Sequence, residues 1–514
     1  MEASMRFRRT TAILALLAAM GAGPAPAAEP QRGGVVDVAT IGEPPTLDPM
    51  ASTADLVGIV SQHVFETLFT FGKDWQVVPL LAEAMPEITE GGRVYTIRLR
   101  QGVTFHDGSG MDSADVLASL KRWETVASRG QQAAKNIASI EAPDPATIRI
   151  TLKEPYAPLL SLLAFNNAAA VILPAEDMAV PMEKPVGTGP YMLKERKPDQ
   201  YIQLVRFDGY KPREDAANGY GGARHQYLDE IRFVPVPDPN TRVEGAVAGQ
   251  FAYADSIPVE SAGRLTGGKT EALTLKPFGW PVFVMNTKEG LLSDVKKRRA
   301  VLTALNPEDM LIAGFGSTDF YAVDGALYPD GYAWHNTQGV DAYGLGDAQK
   351  AAAALQEAGY DGATPLRILT SRQYEFHYKM AEVAAEYLKA AGFQVQLDVV
   401  DWATLTQRRQ DPKLWDIFIS HSPFLPEPSL IGVMQDSSPG WWQSEAKTKA
   451  LAAFNAESDP AKRAELFGAV QKVFYDEVPA FKVGDFNALA AKSPKLQGFE
   501  PAPWPYFWNA WLEK

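Results

Sequence analysis

The chain has 514 residues, of which 46% are hydrophobic, 10% aromatic and 22% charged, with a net charge of −13 and no cysteine. A single core rarely serves more than roughly 300 residues, so two or three domains are expected. The acidic balance argues against nucleic-acid backbones and anionic lipid as partners, and the missing thiol excludes disulfides, thiolate metal sites and a cysteine nucleophile.

Residues 1–28 read as an export signal. Arg6, Arg8 and Arg9 precede the apolar run Ala12–Met20, and "GAGPAPAAE" supplies small residues for cleavage after Ala27 or Ala28. The run is shorter than the ~20 residues a membrane-spanning helix needs. With no cysteine to carry a lipid, the exported chain is expected to be free in a bacterial periplasm.

Past the signal, "VVDVAT" (35–40), "YTIRLR" (95–100), "TIRITL" (147–152) and "IRFVPV" (231–236) alternate as strands do, while Ala114–Trp123, Ala348–Ala358, Phe376–Ala391 and Lys447–Phe454 have helical spacing. In "FHDGSGMDSADV" (105–116), His106 and Asp107 could form an acid/base pair. A turn followed by Asp112 as helix N-cap, with Asp115 three residues on, explains more of the string. "VGTGPY" (186–191) reads as a chain reversal rather than a phosphate loop, because Pro190 lacks an amide donor and no lysine follows in place. The basic run Lys296–Arg299 reads as a solvated helix face.

Residues 364–430 carry the most information. Strand 366–370, helix 375–391 ending at Gly392, strand 394–400, helix 402–409 and strand 414–420 make a β-α-β-α-β order, which requires a parallel sheet. Ligands of open α/β sheets collect beyond the carboxyl ends of the strands. Arg372, Asp401–Trp402 and His421–Ser422 each follow a predicted strand, so they are expected to meet at one edge. There Arg372 would offer a fork of donors to a carboxylate, or else pair with one of the protein's own acids.

Of the six histidines no two lie closer than forty-two residues in sequence, and zinc-type, nucleophile-elbow and phosphate-loop patterns are absent. No metal and no cofactor are expected. The aromatic residues near the end read as core packing, with Trp441 as a candidate groove wall.

Together "GGVVDVATIGEPPTLDP", "PLLAEAMPEI", "YTIRLRQGVTFHDGSGMDSADV", "VGTGPY", "DAQKAAAALQEAGY" and "AEYLKAAGFQVQL" resemble the family 5 extracellular solute-binding proteins of ABC transporters, the group that includes dipeptide, oligopeptide and nickel binders. The resemblance covers nearly the whole chain past residue 28. It implies an α/β, periplasmic-binding-protein-like fold of two lobes, with an extra third domain and a hinge. The first lobe would be 29–72, 186–283 and 486–514, the extra domain 73–185 and the second lobe 284–485, with hinge crossings near "WPVFVMN" and Lys482–Asp485.

The resemblance also implies a monomeric, non-enzymatic receptor that captures a small or peptide-like solute and delivers it to an inner-membrane ABC permease. By resemblance Arg372 falls where a peptide carboxylate is held. Phe424 falls where dipeptide binders keep an aspartate for the ligand's amine, so Asp485 or another acid would have to replace it. Ser52 and Thr53 from the first lobe and Trp402, His421 and Ser422 from the second complete the expected site. Two other readings stay open on the sequence alone: a secreted hydrolase using two carboxylates, and a peptide-handling chaperone or sensory receptor on the same fold.

Overall fold

The computed structural model describes residues 29–266 and 269–514; the expected signal segment lies outside them. Ten strands follow one another across a single mixed sheet. In chain order they are β1 (Val35–Thr40), β2 (Tyr191–Lys197), β3 (Tyr201–Arg206), β4 (Glu230–Pro235), β5 (Tyr253–Ile257), β6 (Glu271–Met285), β7 (Leu366–Thr370), β8 (Val395–Val399), β9 (Ile417–Pro423) and β10 (Asp485–Lys492). Across the sheet the order is β8-β7-β9-β6-β10-β5-β1-β4-β3-β2.

The predicted parallel unit is present. Leu366–Thr370 pairs with Val395–Val399 and Ile368–Leu369 with Ile417–Phe418, all parallel. Helix α4 (Glu375–Ala390) connects β7 to β8, and α5 (Trp402–Arg408) connects β8 to β9. One boundary differs from expectation. Strand β9 starts at Ile417 rather than 414, because Asp411–Leu414 close a turn in which Asp411 Oδ1 accepts from the Lys413 amide. His421 and Ser422 therefore lie within β9, paired with Pro281 and Trp280, instead of just beyond it.

Strand β6, fifteen residues long, joins the two halves of the molecule. Its first part pairs with β10 and its last part, Gly279–Met285, pairs with β9. Gly279 has φ 155°, and a Cβ there would lie 1.9 Å from the Ser422 carbonyl oxygen, so only glycine admits this approach of the two strands.

A separate four-stranded antiparallel sheet (Glu87–Thr89, Val94–Arg98, Thr147–Leu152, Ile137–Asp144) packs against α2 (Ser113–Val126) and α3 (Ser128–Ala134). The α2 cap is a full capping box: Asp112 accepts from the Ala114 and Asp115 amides, and Asp115 accepts from the Asp112 amide. The motifs "FHDG" and "GTGPY" meet. The Gly187 amide donates to His106 Nδ1, which leaves Nε2–H to donate to the Gly189 carbonyl at 3.0 Å. Side chains at Gly187 and Gly189 would collide with the backbone at Val64 and His63. His106 thus locks two distant loops together, and burial lowers its pKa.

The run Lys296–Arg299 departs from the solvated reading at Arg298. That side chain is buried and donates to the carbonyls of Leu292, Ser293, Glu477 and Val478, completing the end of helix Pro460–Glu477. Trp504, Tyr506, Phe507, Trp508 and Trp511 are all core.

Candidate functional site

A cavity of about 660 Å³ opens between the halves of the large sheet, a size suited to a small organic ligand. One wall comes from residues 41–56, including the start of α1 (Asp55–Ser61), and from α3. The opposite wall is built by the β7–α4 loop, α5 and the end of β9, and Trp280, Val282 and Val284 of β6 form the floor. Alternation along β6 aims these three side chains to one face.

Five of the expected site residues line this cavity: Ser52, Thr53, Trp402, His421 and Ser422. Ser52 Oγ accepts from the Ala54 amide, shaping the turn that leads into α1. Trp402 opens α5, whose N-cap Asp401 accepts from the Thr404 amide, and it packs edge-on against Tyr374 at 4.9 Å between ring centroids.

Arg372 is placed elsewhere. Its side chain is exposed and its guanidinium stacks 3.9 Å from the centre of the Tyr378 ring, one turn along α4. The neighbouring Gln373 faces the cavity instead. The rule about strand ends locates a stretch of backbone; it does not say which of two successive side chains turns inward. Trp441 also lies outside, stacked on Trp415 with ring centroids 5.6 Å apart and covered by Lys288.

Phe424 and Asp485 lie in a second cavity of about 610 Å³. Phe424 is packed among Tyr332, Trp75 and Tyr328, and Asp485 pairs with Lys482 at 2.7 Å.

Three charged groups have no counterpart among the residues expected from sequence. Arg129, on α3, is buried; it donates to Asn167 and to the Leu430 carbonyl and lies 4.5 Å from the centre of the Phe165 ring. Arg409, on the opposite wall, follows α5. Its Nε is buried without a partner and its guanidinium stands 5.8 Å from the Phe418 ring centre. Among the described residues neither arginine has a carboxylate partner. Burial pushes Arg129 down to about 9 and Arg409 down to about 10, opposed in each by the field of Asp55.

Asp55 is the third. At the first position of α1 it accepts from Trp504 Nε1 at 2.9 Å, and its other oxygen lies 3.7 Å from His421 Nε2 across the cavity. His421 Nδ1 is in turn 3.1 Å from His377 Nε2 on α4. Two histidines forty-four residues apart are thus neighbours, which no local motif could disclose. Only Arg409 left a trace in the sequence, as a cation at the end of a helix that follows a sheet strand; α3 gave no signal for Arg129.

The arrangement offers two arginines, four acids (Glu43, Asp55, Asp199 and Asp401), an aromatic wall and hydroxyl groups. No group of three or more metal-ligating side chains occurs among the described residues, and no described helix is long and apolar enough to cross a membrane.

The comparisons with known proteins agree with this architecture. The model of the bacterial extracellular solute-binding proteins, family 5 (middle region), matches residues 76–441. A probable peptide ABC transporter periplasmic-binding protein, y4tO of Sinorhizobium fredii, is 27% identical over 486 residues, covering 90% of each chain. The glutathione-binding protein GsiB of Escherichia coli K12 is 26% identical over 483 residues, covering 88% of this chain and 89% of the relative. Among solved structures, the PBP AgaA from A. tumefacien R10, determined in complex with agropinic acid, superposes with a TM-score of 0.82 at 25% identity. It covers 94% of this chain and 99% of that one. With its two-lobed α/β architecture and a family match across most of its length, this chain belongs to the family 5 bacterial extracellular solute-binding proteins.

Proposed function

We propose that the protein is the solute-capturing component of a bacterial ABC importer, working in the periplasm as a monomer, and that its cargo is a small, peptide-like or related organic compound bearing at least one carboxylate. It binds the cargo between its lobes, closes about the hinge strands β6 and β10, and passes the compound unchanged to a membrane permease. In this reading residues 29–72, 186–283 and 486–514 form one lobe, 284–485 the other, and 73–185 an added domain.

The observation that carries the cargo class is the pair of guanidinium groups without carboxylate partners, Arg129 and Arg409, facing one cavity from opposite walls. A buried cation without a counter-charge is costly, and a ligand carboxylate would offset that cost at the moment of closure. Differential binding to the closed form is what drives such a movement. Ser52, Thr53, Gln373, Trp402, His421 and Ser422 supply polar and aromatic contacts around the charged pair. The relatives named for peptide and glutathione, and the neighbour holding agropinic acid, all fit an anionic organic cargo.

Mass spectrometry of small molecules released from natively purified protein tests the reading, followed by calorimetric titration with glutathione, agropinic acid and a dipeptide series. A carboxylate-bearing compound recovered intact is the expected result. Cargo lacking any anionic group, or chemical turnover of the compound, would overturn it.

A further inference from the structure

The added domain, residues 73–185, touches both lobes, but in two different ways. Toward the first lobe it is fixed. Arg122 and Asp48 form a buried ion pair at 2.5 Å, His106 ties Gly187 to Gly189, and the Ala168 and Ala169 amides donate to the carbonyls of Ser52 and Pro49. Toward the second lobe its hydrogen bonds all end on main-chain carbonyls. The Ala157 amide donates to Asn455 at 2.9 Å, Gln132 Nε2 to Ser429 at 3.2 Å, and Arg129 Nη1 to Leu430 at 3.1 Å.

Tyr156 is the centre of this second contact. Its ring is 5% exposed and its hydroxyl accepts from Gln132 at 3.0 Å. Burial raises its pKa and the Gln132 hydrogen bond lowers it, and the buried pair Glu427–Arg463 of the second lobe is near enough for both charges to act on it. Tyr156, Ala157 and Asn455 line neither cavity. Two atoms of the same contact are left without partners, Gln132 Oε1 and Asn455 Oδ1. Buried polar atoms are almost always satisfied, so these two orphans offset much of what the three hydrogen bonds contribute. A contact balanced in this way can open, because every group in it finds water when the lobes part. The other ion pair that spans the cleft, Lys379–Glu260, is exposed on both sides and contributes little.

We propose, on the closing movement described above, that the Tyr156 loop of the added domain is a clasp that engages the second lobe without cargo and holds part of the unliganded population shut. Cargo then has less of the closing free energy to supply. The orphaned oxygens keep the clasp weak enough to release.

The chain has no native cysteine, so Lys121→Cys and Lys449→Cys, both at exposed helical positions, place one spin label on the added domain and one on the second lobe. Distances are read by pulsed electron resonance on the whole protein with no cargo added. The labelled parent is expected to show a short and a long distance. Ala157→Asp sets a carboxylate against the Asn455 carbonyl from a loop between the strand Thr147–Leu152 and the helix Leu159–Ala164. It should lower the ratio of short to long distances about fivefold, the equivalent of one net hydrogen bond, with an unchanged melting temperature. Asn455→Ala removes one orphaned oxygen, keeps the main-chain carbonyl and should raise the same ratio. Identical distance distributions in the three proteins would overturn the clasp, as would a shift in Ala157→Asp that comes with a lower melting temperature and no opposite shift in Asn455→Ala. The carboxylate cargo fails only on its own test, recovery of an uncharged or altered compound, which these measurements do not use.

Discussion

His421 Nε2 stands 3.7 Å from Asp55 Oδ2, and the two residues belong to opposite walls of the cavity. The histidine behind it sets the tautomer. His377 Nδ1 is buried without a partner, and an orphaned acceptor there is more tolerable than an orphaned N–H. His377 Nε2 therefore carries the proton and donates to His421 Nδ1, which leaves His421 Nε2–H directed at the Asp55 carboxylate. The gap is longer than a hydrogen bond, so a small further approach of the walls would form one. Asp55→Asn is expected to lower cargo affinity about fivefold, or ~1 kcal/mol, and to shift small-angle scattering of the liganded protein toward the more open form. Unchanged scattering and affinity would remove this contact from the closing movement.

The arginines separate the sequence-based expectation from the geometry. Arg409→Ala is expected to weaken binding of a carboxylate cargo at least tenfold with little change in melting temperature, since its Nε has no protein partner to lose. Arg372→Ala, on the exposed face of α4, should alter affinity less than twofold. Titration of both variants with the same cargo decides between them; the reverse ranking would place the anion at the end of β7, beside Arg372.

Acid should destabilise the fold through its buried histidines. His63 accepts the Phe507 amide at Nε2 and donates through Nδ1 to the Ile59 carbonyl, so it must be neutral; burial holds it down at about 3. His377 is lowered well below the usual histidine range, first by burial and then by His421. Because the folded pKa lies below the unfolded value near 6.5, the unfolded chain takes up the proton first. The associated stability is complete above about pH 6.5 and is lost as pH falls toward 3. For His63 the loss is about 2 kcal/mol by pH 5. Denaturant unfolding should give a lower midpoint at pH 5 than at pH 7, with a shallower decline in His63→Gln.

At the crossing strands, Gly279→Ala should cost roughly 3 kcal/mol or more, because the added carbon would meet the Ser422 carbonyl at 1.9 Å in a backbone conformation alanine disfavours. A drop of several degrees in melting temperature, together with weakened cargo binding, is the expected readout. A variant indistinguishable from the parent would mean that β6 and β9 can separate freely at this point.

How far residues could be read depended on the range of the forces that place them. Hydrophobic alternation, the Asp112 cap and Gly392 at the end of α4 act within a few residues. The β-α-β-α-β unit therefore emerged with its parallel pairing and nearly its boundaries, and the shift at β9 came from a local turn at Asp411. The match of motifs along the chain likewise carried the family. Side-chain direction at the cavity was another matter. Whether Arg372 or Gln373 turns inward depends on the packing of α4 against the β7 edge, and Arg129 reaches the cavity only because α3 is carried there by a sheet of its own. The meeting of Asp55, His421 and His377 joins positions more than three hundred residues apart. Local sequence determined the secondary structure because side-chain alternation, helix caps and turns act within a few residues. Only the folded molecule decided which charges face each other, because that outcome is set by how separate elements pack, and packing is decided by all of them at once.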